Sequence, residues 1–362
     1  MNATVLIMAG GTGGHVFPAL AVARVLRGLG HRVVWLGTRR GIESRLVPAE
    51  GIPVEWIEVA GLRGKGLFGW LWAPFSVALA VTQALAALRR VRPDVVLGCG
   101  GFASGPGGVA ARLTGTPLVI HEQNAVAGLT NRLLARLATR VAAAFPGSFP
   151  RAVAVSVIGN PVRADIAALP APDARFAGRE GPLRLLVFGG SQGAAALNRV
   201  LPMAIAELPP QARPQVLHQT GTSGHAATEA RYRELGVEAM VQPFIDDMAQ
   251  AYRDADFAVT RSGALTVSEL AAAGLGALLV PFPAAVDDHQ ARNAQYLAEA
   301  GAARMIREED LTPSSLAAAL EECLSAGRER CLQMATAARG KAVPRAAEQL
   351  AGLCLQSAGV AA

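Results

Sequence analysis

The chain has 362 residues, of which 51% are hydrophobic and 17% charged, and a net charge of +6. That length allows two domains with cores of their own, and the composition excludes intrinsic disorder. The positive charge is modest, so its placement matters more than its sum, and no nucleic-acid partner is expected. Cys99, Cys323, Cys331 and Cys354 form no CxxC pair, so neither a zinc site nor a disulfide framework is suggested. No basic segment followed by a long apolar region opens the chain. A signal peptide is therefore not expected, and the cytosol is the default compartment.

The first element is an apolar run, Val5 to Met8, suited to a strand buried on both faces. Gly10, Gly11, Gly13 and Gly14 follow, and a helix is expected from about Pro18. A glycine turn feeding a helix N-terminus suits phosphate, because backbone N–H groups and the helix dipole both face the ligand. His15 sits on this turn, where an imidazole can exchange a proton. The dinucleotide fingerprint fails, since Val16 stands where its last glycine belongs.

Strands are expected at Arg32–Leu36, Val54–Val59, Asp94–Gly98, Pro117–His121 and Arg140–Ala144, with helices between them, such as Thr130–Ala138. This alternation implies a parallel sheet with helices on both faces. A second glycine cluster, Gly98 to Gly108, follows the fourth strand, where ligands bind in open α/β sheets. Leu67 to Leu88 carries no charge and is long enough to cross a bilayer. It lies between two strands of one sheet, however, so a crossing is excluded. Phe68, Trp70, Leu71, Trp72 and Phe75 cluster there, with Arg63 and Lys65 before and Arg89, Arg90 and Arg92 after. That pattern fits an interfacial anchor on anionic lipid, or else a core helix with a solvated basic end.

The second half starts over. Leu183–Phe188 reads as a strand, Gly189 to Gly193 as a turn, and a helix follows from about Ala195. Gly10, Gly11, Thr12 and Gly14 fall on Gly189, Gly190, Ser191 and Gly193, a weak internal repeat that implies two similar domains. Gly159-Asn-Pro-Val-Arg163 reads as the hinge between them. Arg261 to Leu270 follows a strand, Phe257–Thr260, and opens a helix. Glu269 there suits a ribose diol; the alternative is plain capping by Ser262 or Thr266, with Glu269 in a capping box. After the strand Ala277–Val280, His289, Gln290 and Asn293 begin another helix. Asp254 and Asp256 read as a solvated helix end rather than a metal pair.

Taken in order, Gly10–His15, Gly100–Gly108, His121-Glu-Gln-Asn124, Gly159–Arg163, Gly189–Gly193 and Arg261–Glu269 resemble the motifs of the MurG family. These are bacterial UDP-N-acetylglucosamine transferases that convert lipid I to lipid II. The resemblance covers about residue 5 to about residue 350. It implies an α/β GT-B fold, two Rossmann-like doubly wound parallel-sheet domains facing across a cleft. The implied domains are 1–160 on the acceptor and membrane side, 161–342 on the UDP-N-acetylglucosamine side, and 343–362 as a helix, Arg345–Leu355, crossing back.

The resemblance further implies an inverting hexosyl transfer that forms a β-1,4 bond, with no metal and no cofactor. It implies a peripheral protein on the cytoplasmic face of the inner membrane, acting in peptidoglycan synthesis, cell shape and division, with other proteins of those processes as candidate partners. For the donor it implies contacts from Thr12, Gly13, Gly14, Asn124, Arg163, Ser191, Ile245, Gln290 and the turn Ala264, Leu265, Thr266, Val267, Ser268 and Glu269. For the acceptor diphosphate it implies Gly11, Gly101, Ser104, Gly105 and Gly107. The acceptor hydroxyl must lose a proton as it attacks, so a general base is required; His15 is the first candidate and Glu122 the second. Rival classes are a nicotinamide oxidoreductase using Arg39 and Arg40, a sugar-nucleotide epimerase and a non-catalytic membrane adaptor.

Overall fold

The computed structural model describes residues 2–59, 67–190 and 193–360, with only the backbone described at 67–74 and 286. Ser191, Arg63 and Lys65 lie outside the described residues, as do the side chains of Phe68, Trp70, Leu71 and Trp72. The chain forms two compact units: Met1–Val162 with Arg345–Ala362, and Arg163–Pro344.

In chain order the first unit runs β1 (Thr4–Met8), α1 (Gly13–Gly28), β2 (Arg32–Gly37), α2 (Glu43–Ala49), β3 (Val54–Trp56) and α3 (Leu67–Val91). It continues with β4 (Val95–Gly98), α4 (Ser104–Thr114), β5 (Leu118–Glu122), α5 (Leu129–Leu134), β6 (Arg140–Ala143) and β7 (Ser156–Val157). The second unit runs α6 (Ala164–Ala167), α7 (Pro172–Phe176), β8 (Arg184–Phe188), α8 (Ala195–Glu207), β9 (Gln215–Gln219), α9 (His225–Glu234) and β10 (Ala239–Gln242). It is completed by α10 (Met248–Asp254), β11 (Phe257–Thr260), α11 (Ala264–Ala273), β12 (Ala277–Leu279), α12 (His289–Ala298), β13 (Ala303–Met305), α13 (Pro313–Leu324) and α14 (Gly327–Arg339). The last helix, α15 (Ala346–Ser357), belongs to the first unit.

Both sheets are parallel, in the order β3-β2-β1-β4-β5-β6-β7 and β10-β9-β8-β11-β12-β13. The order reverses direction at β1/β4 in one unit and at β8/β11 in the other, and a crevice opens beyond strand ends at such a point. Register brings Met8 beside Gly98 and Thr260 beside Phe188, so the glycine turns leave their sheets at these reversals.

β1 is buried on both faces. Val5 and Ile7 join α1 and α15 in one core, while Leu6 and Met8 join the α3 and α4 side in the other. Period-two alternation divides the strand between two cores, which is why it reads as a continuous apolar run. Leu350, Ala351, Cys354 and Leu355 of α15 are buried in the first of these cores.

Several boundaries differ from expectation. α1 starts five residues before Pro18: Thr12 is the N-cap, and its carbonyl accepts from both His15 and Val16 N–H. Pro18 sits inside the helix, so the usual first-turn proline rule misplaces the start. β3 ends at Trp56, and α5 stops at Leu134, with turns rather than helix to Ala138. β7 is a two-residue strand paired with β6 that no sequence pattern announces. Asp256 is not a solvated helix end. It is fully buried, accepts Arg184 N–H at 3.0 Å, and pairs with Arg179 at 2.5 Å and Arg328 at 3.3 Å.

α3 divides along its length. Phe75 to Leu79 are exposed, with Phe75 at 69%, whereas Ala80, Ala84, Ala87, Leu88 and Val91 are buried at helical spacing. Arg89 is exposed, and Arg90 is held by Glu55 at 2.5 Å. No helix among the described residues is long and apolar enough to cross a membrane.

Candidate active site

In the first unit the loops after β1, β4 and β5 meet. Gly11 has φ +89°, a backbone state that strains any residue with a Cβ, and its N–H donates to Glu43 Oε2 at 3.0 Å. Glu43 is completely buried; its Oε1 accepts from Thr38 N–H at 3.1 Å and Thr38 Oγ1 at 2.8 Å. Trp35 Nε1 donates to Ala9 O at 2.9 Å, and Ser104 Oγ donates to Met8 O at 3.0 Å and Gly100 O at 2.7 Å. Three buried side chains from three elements thus fix the main chain at 8–11. Gly101 lies against this turn so closely that a Cβ would come within 2.3 Å of Gly10 O. The amides of Gly13 and Gly14 head α1 with no acceptor inside the helix, as first-turn amides must.

His15 is the third residue of α1 and half-buried, and its Nδ1 lies 3.1 Å from Gln123 Oε1. The Gly100 loop borders the ring, for a Cβ at Gly100 would lie 3.1 Å from it. Glu122, the second candidate base, is engaged by its own loop. It is 2% exposed, and Oε1 accepts from Asn124 N–H (2.9 Å) and Nδ2 (3.2 Å). Its Oε2 accepts from Gly128 N–H (3.1 Å) and Asn131 Nδ2 (2.9 Å). Four donors fill its acceptor sites, so this carboxylate organises the 122–131 loop.

Two of the expected acceptor contacts are also corrected. Gly107 is buried where a Cβ would clash with Met8 Sδ at 2.1 Å and Leu36 at 2.9 Å, so it serves helix–sheet packing. The Ser104 hydroxyl is directed to main-chain carbonyls and is fully buried. Gly105 stays at the half-buried start of α4.

In the second unit the turn after β8 repeats the first. Gly190 has φ +94°, matching Gly11, and Gly193 has φ +74° with room for no Cβ, since Thr220 O would be 1.9 Å away. Gln219, 4% exposed, ties this turn to Ile245: its Nε2 donates to Gly190 O at 2.8 Å and its Oε1 accepts from Ile245 N–H at 3.0 Å.

Glu269 stands in the second turn of α11, 6% exposed, with Oε1 accepting from Arg163 Nε at 3.2 Å and Oε2 from Tyr252 OH at 3.1 Å. Burial raises its pKa, opposed by the Arg163 charge and the Tyr252 hydrogen bond. The capping alternative does not hold: Gly263 is the N-cap without a side-chain bond, and Ser262 Oγ donates to Gln290 O at 2.8 Å. Ala264, Leu265 and Thr266 present the first-turn amides of α11. Val267 is core, with its N–H on Gly263 O, and Ser268 Oγ bonds back to Ala264 O at 2.9 Å. Gln290 opens α12, and its Oε1 accepts from Phe282 N–H at 2.9 Å. Among the described residues no group of three His, Cys, Asp or Glu could hold a metal ion.

Glu43 and Gln219 escaped the sequence reading, and Gln123 entered it only inside the His121–Asn124 motif, with no role assigned. Glu43 sits in the first turn of a short helix, where acidic residues are ordinary, and the glutamines carry no spacing signal.

Two parallel α/β units, each with a glycine turn at its strand-order reversal, have the make-up of the GT-B fold. Residues 5–143 match the glycosyltransferase family 28 N-terminal domain and residues 184–350 the family's C-terminal domain. The chain belongs to glycosyltransferase family 28. A protein of Nitrosococcus oceani is 57% identical over 358 residues, 99% of each chain. One of Marinobacter nauticus is 54% identical over 353 residues, 98% of this chain and 97% of its own. Both are named UDP-N-acetylglucosamine–N-acetylmuramyl-(pentapeptide) pyrophosphoryl-undecaprenol N-acetylglucosamine transferase. The crystal structure of Acinetobacter baumannii MurG superposes with a TM-score of 0.86 at 41% identity, covering 98% of this chain and 99% of that one. The calicheamicin glycosyltransferase CalG4, at 19% identity and TM-score 0.67, shares the fold.

Proposed function

We propose that this chain transfers N-acetylglucosamine from UDP-N-acetylglucosamine to the 4-hydroxyl of the N-acetylmuramyl-pentapeptide of lipid I, making lipid II. The observation that carries this reading is the 57% identity over 99% of both chains with a relative of that name. The geometry supports a division of labour. The first unit contributes the acceptor's phosphate contacts at Gly11, Gly101 and Gly105, the sugar contacts Thr12, Gly13, Gly14 and Asn124, and the base. The second unit contributes the donor's nucleotide contacts.

On the second unit, Glu269 has lone pairs for a ribose diol beside those that Arg163 and Tyr252 occupy. The Ile245 amide is already bonded to Gln219, so its carbonyl is the group left for uracil. The diphosphate falls to the amides of Ala264, Leu265 and Thr266, to Arg163 and to Ser191, and the sugar to Gln290. As UDP departs, charge develops on the β-phosphate, and preoriented amides stabilise it without reorganising. His15 takes the acceptor proton.

The exposed apolar stretch Phe75–Leu79 of α3, with Arg89 beyond it, is the surface for anionic lipid at the cytoplasmic face of the membrane. Incubation with labelled UDP-N-acetylglucosamine and a lipid I analogue tests the reaction: release of UDP with a labelled disaccharide lipid is expected, and hydrolysis or epimerisation of the donor alone would refute it. Vesicle flotation tests the surface: Phe75→Ser combined with Leu79→Ser is expected to reduce binding to anionic vesicles, and undiminished binding counts against it.

A further inference from the structure

Four groups of the first unit form a line of hydrogen bonds whose direction is set from one end. The Gly159 carbonyl can only accept, so His121 Nε2, 2.9 Å away, carries a proton. His121 is completely buried, and burial pushes its pKa down to about 4, so the ring is neutral near pH 7. A neutral ring protonated on Nε2 has its lone pair on Nδ1. That lone pair accepts from Gln123 Nε2 at 3.2 Å. The same nitrogen donates to the His121 carbonyl at 3.2 Å, which fixes the amide's orientation by a second route. Gln123 is 1% exposed, and its main-chain carbonyl is held by Asn160 Nδ2 at 3.0 Å. Its Oε1 therefore faces His15 and accepts from Nδ1–H at 3.1 Å.

We infer that His121 and Gln123 are positioning residues that hold His15 in the tautomer with its proton on Nδ1 and its lone pair on Nε2. The catalytic consequence rests on His15 being the base; the tautomer itself does not. In the transfer, the acceptor O–H bond breaks and its proton goes to Nε2. The acceptor oxygen bonds the anomeric carbon, and the electron pair of the carbon–phosphate oxygen bond leaves on UDP. The imidazolium so formed keeps its Nδ1–H on Gln123 Oε1, an acceptor already aimed at it. The other charged or titratable groups described at these loops are His121, which is neutral, Glu122, whose four acceptor sites are filled on its own loop, and Glu43, which accepts from Gly11 and Thr38. The Gly100 loop against the ring brings no charge.

Nitrogen-15 NMR of the six histidines in the intact protein reads the tautomers directly, above the pH where His15 titrates. The expected pattern is a proton on Nδ1 of His15 and on Nε2 of His121; a proton on Nε2 of neutral His15 overturns the inference whatever the kinetics show. Gln123→Met removes all three side-chain bonds and should populate both His15 tautomers, lowering kcat about tenfold or more while the KM for UDP-N-acetylglucosamine holds within about twofold. Gln123→Glu keeps an acceptor on Nδ1 and adds charge, so the acid limb of the kcat profile should move up by about one pH unit. A limb that stays in place in a folded Gln123→Glu protein also overturns it. Turnover retained in His15→Ala, with the expected NMR pattern found in the unsubstituted protein, would defeat the base assignment and leave the tautomer assignment standing.

Discussion

The two glycine turns share a backbone and differ in what lies beneath them. Gly11 and Gly190 hold nearly the same positive φ at the same place after the first central strand of each sheet. Below Gly11 is a buried carboxylate, Glu43, which only accepts; below Gly190 is a buried amide, Gln219, which accepts and donates at once. The first arrangement clamps one N–H and leaves the start of α1, with a histidine in its first turn, next to the loop. The second ties the turn to a neighbouring loop, and its unit carries its buried, partnered carboxylate, Glu269, on α11. One backbone solution is thus tied down by an acceptor in one unit and by a donor–acceptor amide in the other; under the proposed function the first serves proton transfer and the second the nucleotide.

This contrast can be broken by substitution. His15→Ala should reduce turnover by about 10²–10⁴-fold with UDP affinity unchanged in a titration, since a general base contributes on that order. Near-normal turnover would remove the first unit's chemical role. Glu269→Ala leaves a buried tyrosine hydroxyl and Arg163 without their acceptor. It should weaken UDP binding by about 1.5–3 kcal/mol by calorimetry while sparing the acceptor KM. An equal rise in both would show that the carboxylate does not belong to the nucleotide site alone. Glu43→Gln places an N–H against donors, at about 1–3 kcal/mol for the unmet bond. Faster hydrogen exchange at the Gly11 amide and a raised acceptor KM should follow, with the donor KM unmoved.

The gentlest test uses pH, because each unit buries one histidine. Burial lowers His121 to about 4 and His218 to about 3, from 6.5. Below pH 6.5 the unfolded chain binds protons that the folded chain refuses, so stability falls as pH drops toward 4, by about 1.4 kcal/mol per pH unit for each histidine. His218→Gln should flatten this slope for the second unit in acid denaturation; an unchanged slope would mean that other groups govern it.

Much of this was legible in the sequence, for identifiable reasons. Parallel strands buried on both faces leave unbroken apolar runs, so β1, β8 and β11 could be placed within a residue or two. Glycine turns betray themselves, since only glycine tolerates the φ at 11, 101, 190 and 193. What stayed hidden depends on partners distant in sequence. Glu122 and Glu269 look alike as letters, yet one is saturated by its own loop while the other shares its oxygens with Arg163 and Tyr252. Asp256 read as solvated because nothing nearby in sequence announces Arg179 or Arg328. At Gly107 the sequence could not announce the packing against Met8 and Leu36, because a glycine needed for close packing is spelled the same as one needed for a ligand.

The return of α15 to the first unit has a consequence for how the molecule is made. During synthesis the whole of 163–344 emerges before Leu350, Ala351, Cys354 and Leu355, which complete the core on α1. The domain begun first on the ribosome is therefore finished last, and its nascent form waits with an uncovered apolar groove while its later neighbour can already close. A nick or frameshift near the carboxyl end strikes the amino-terminal half of the enzyme.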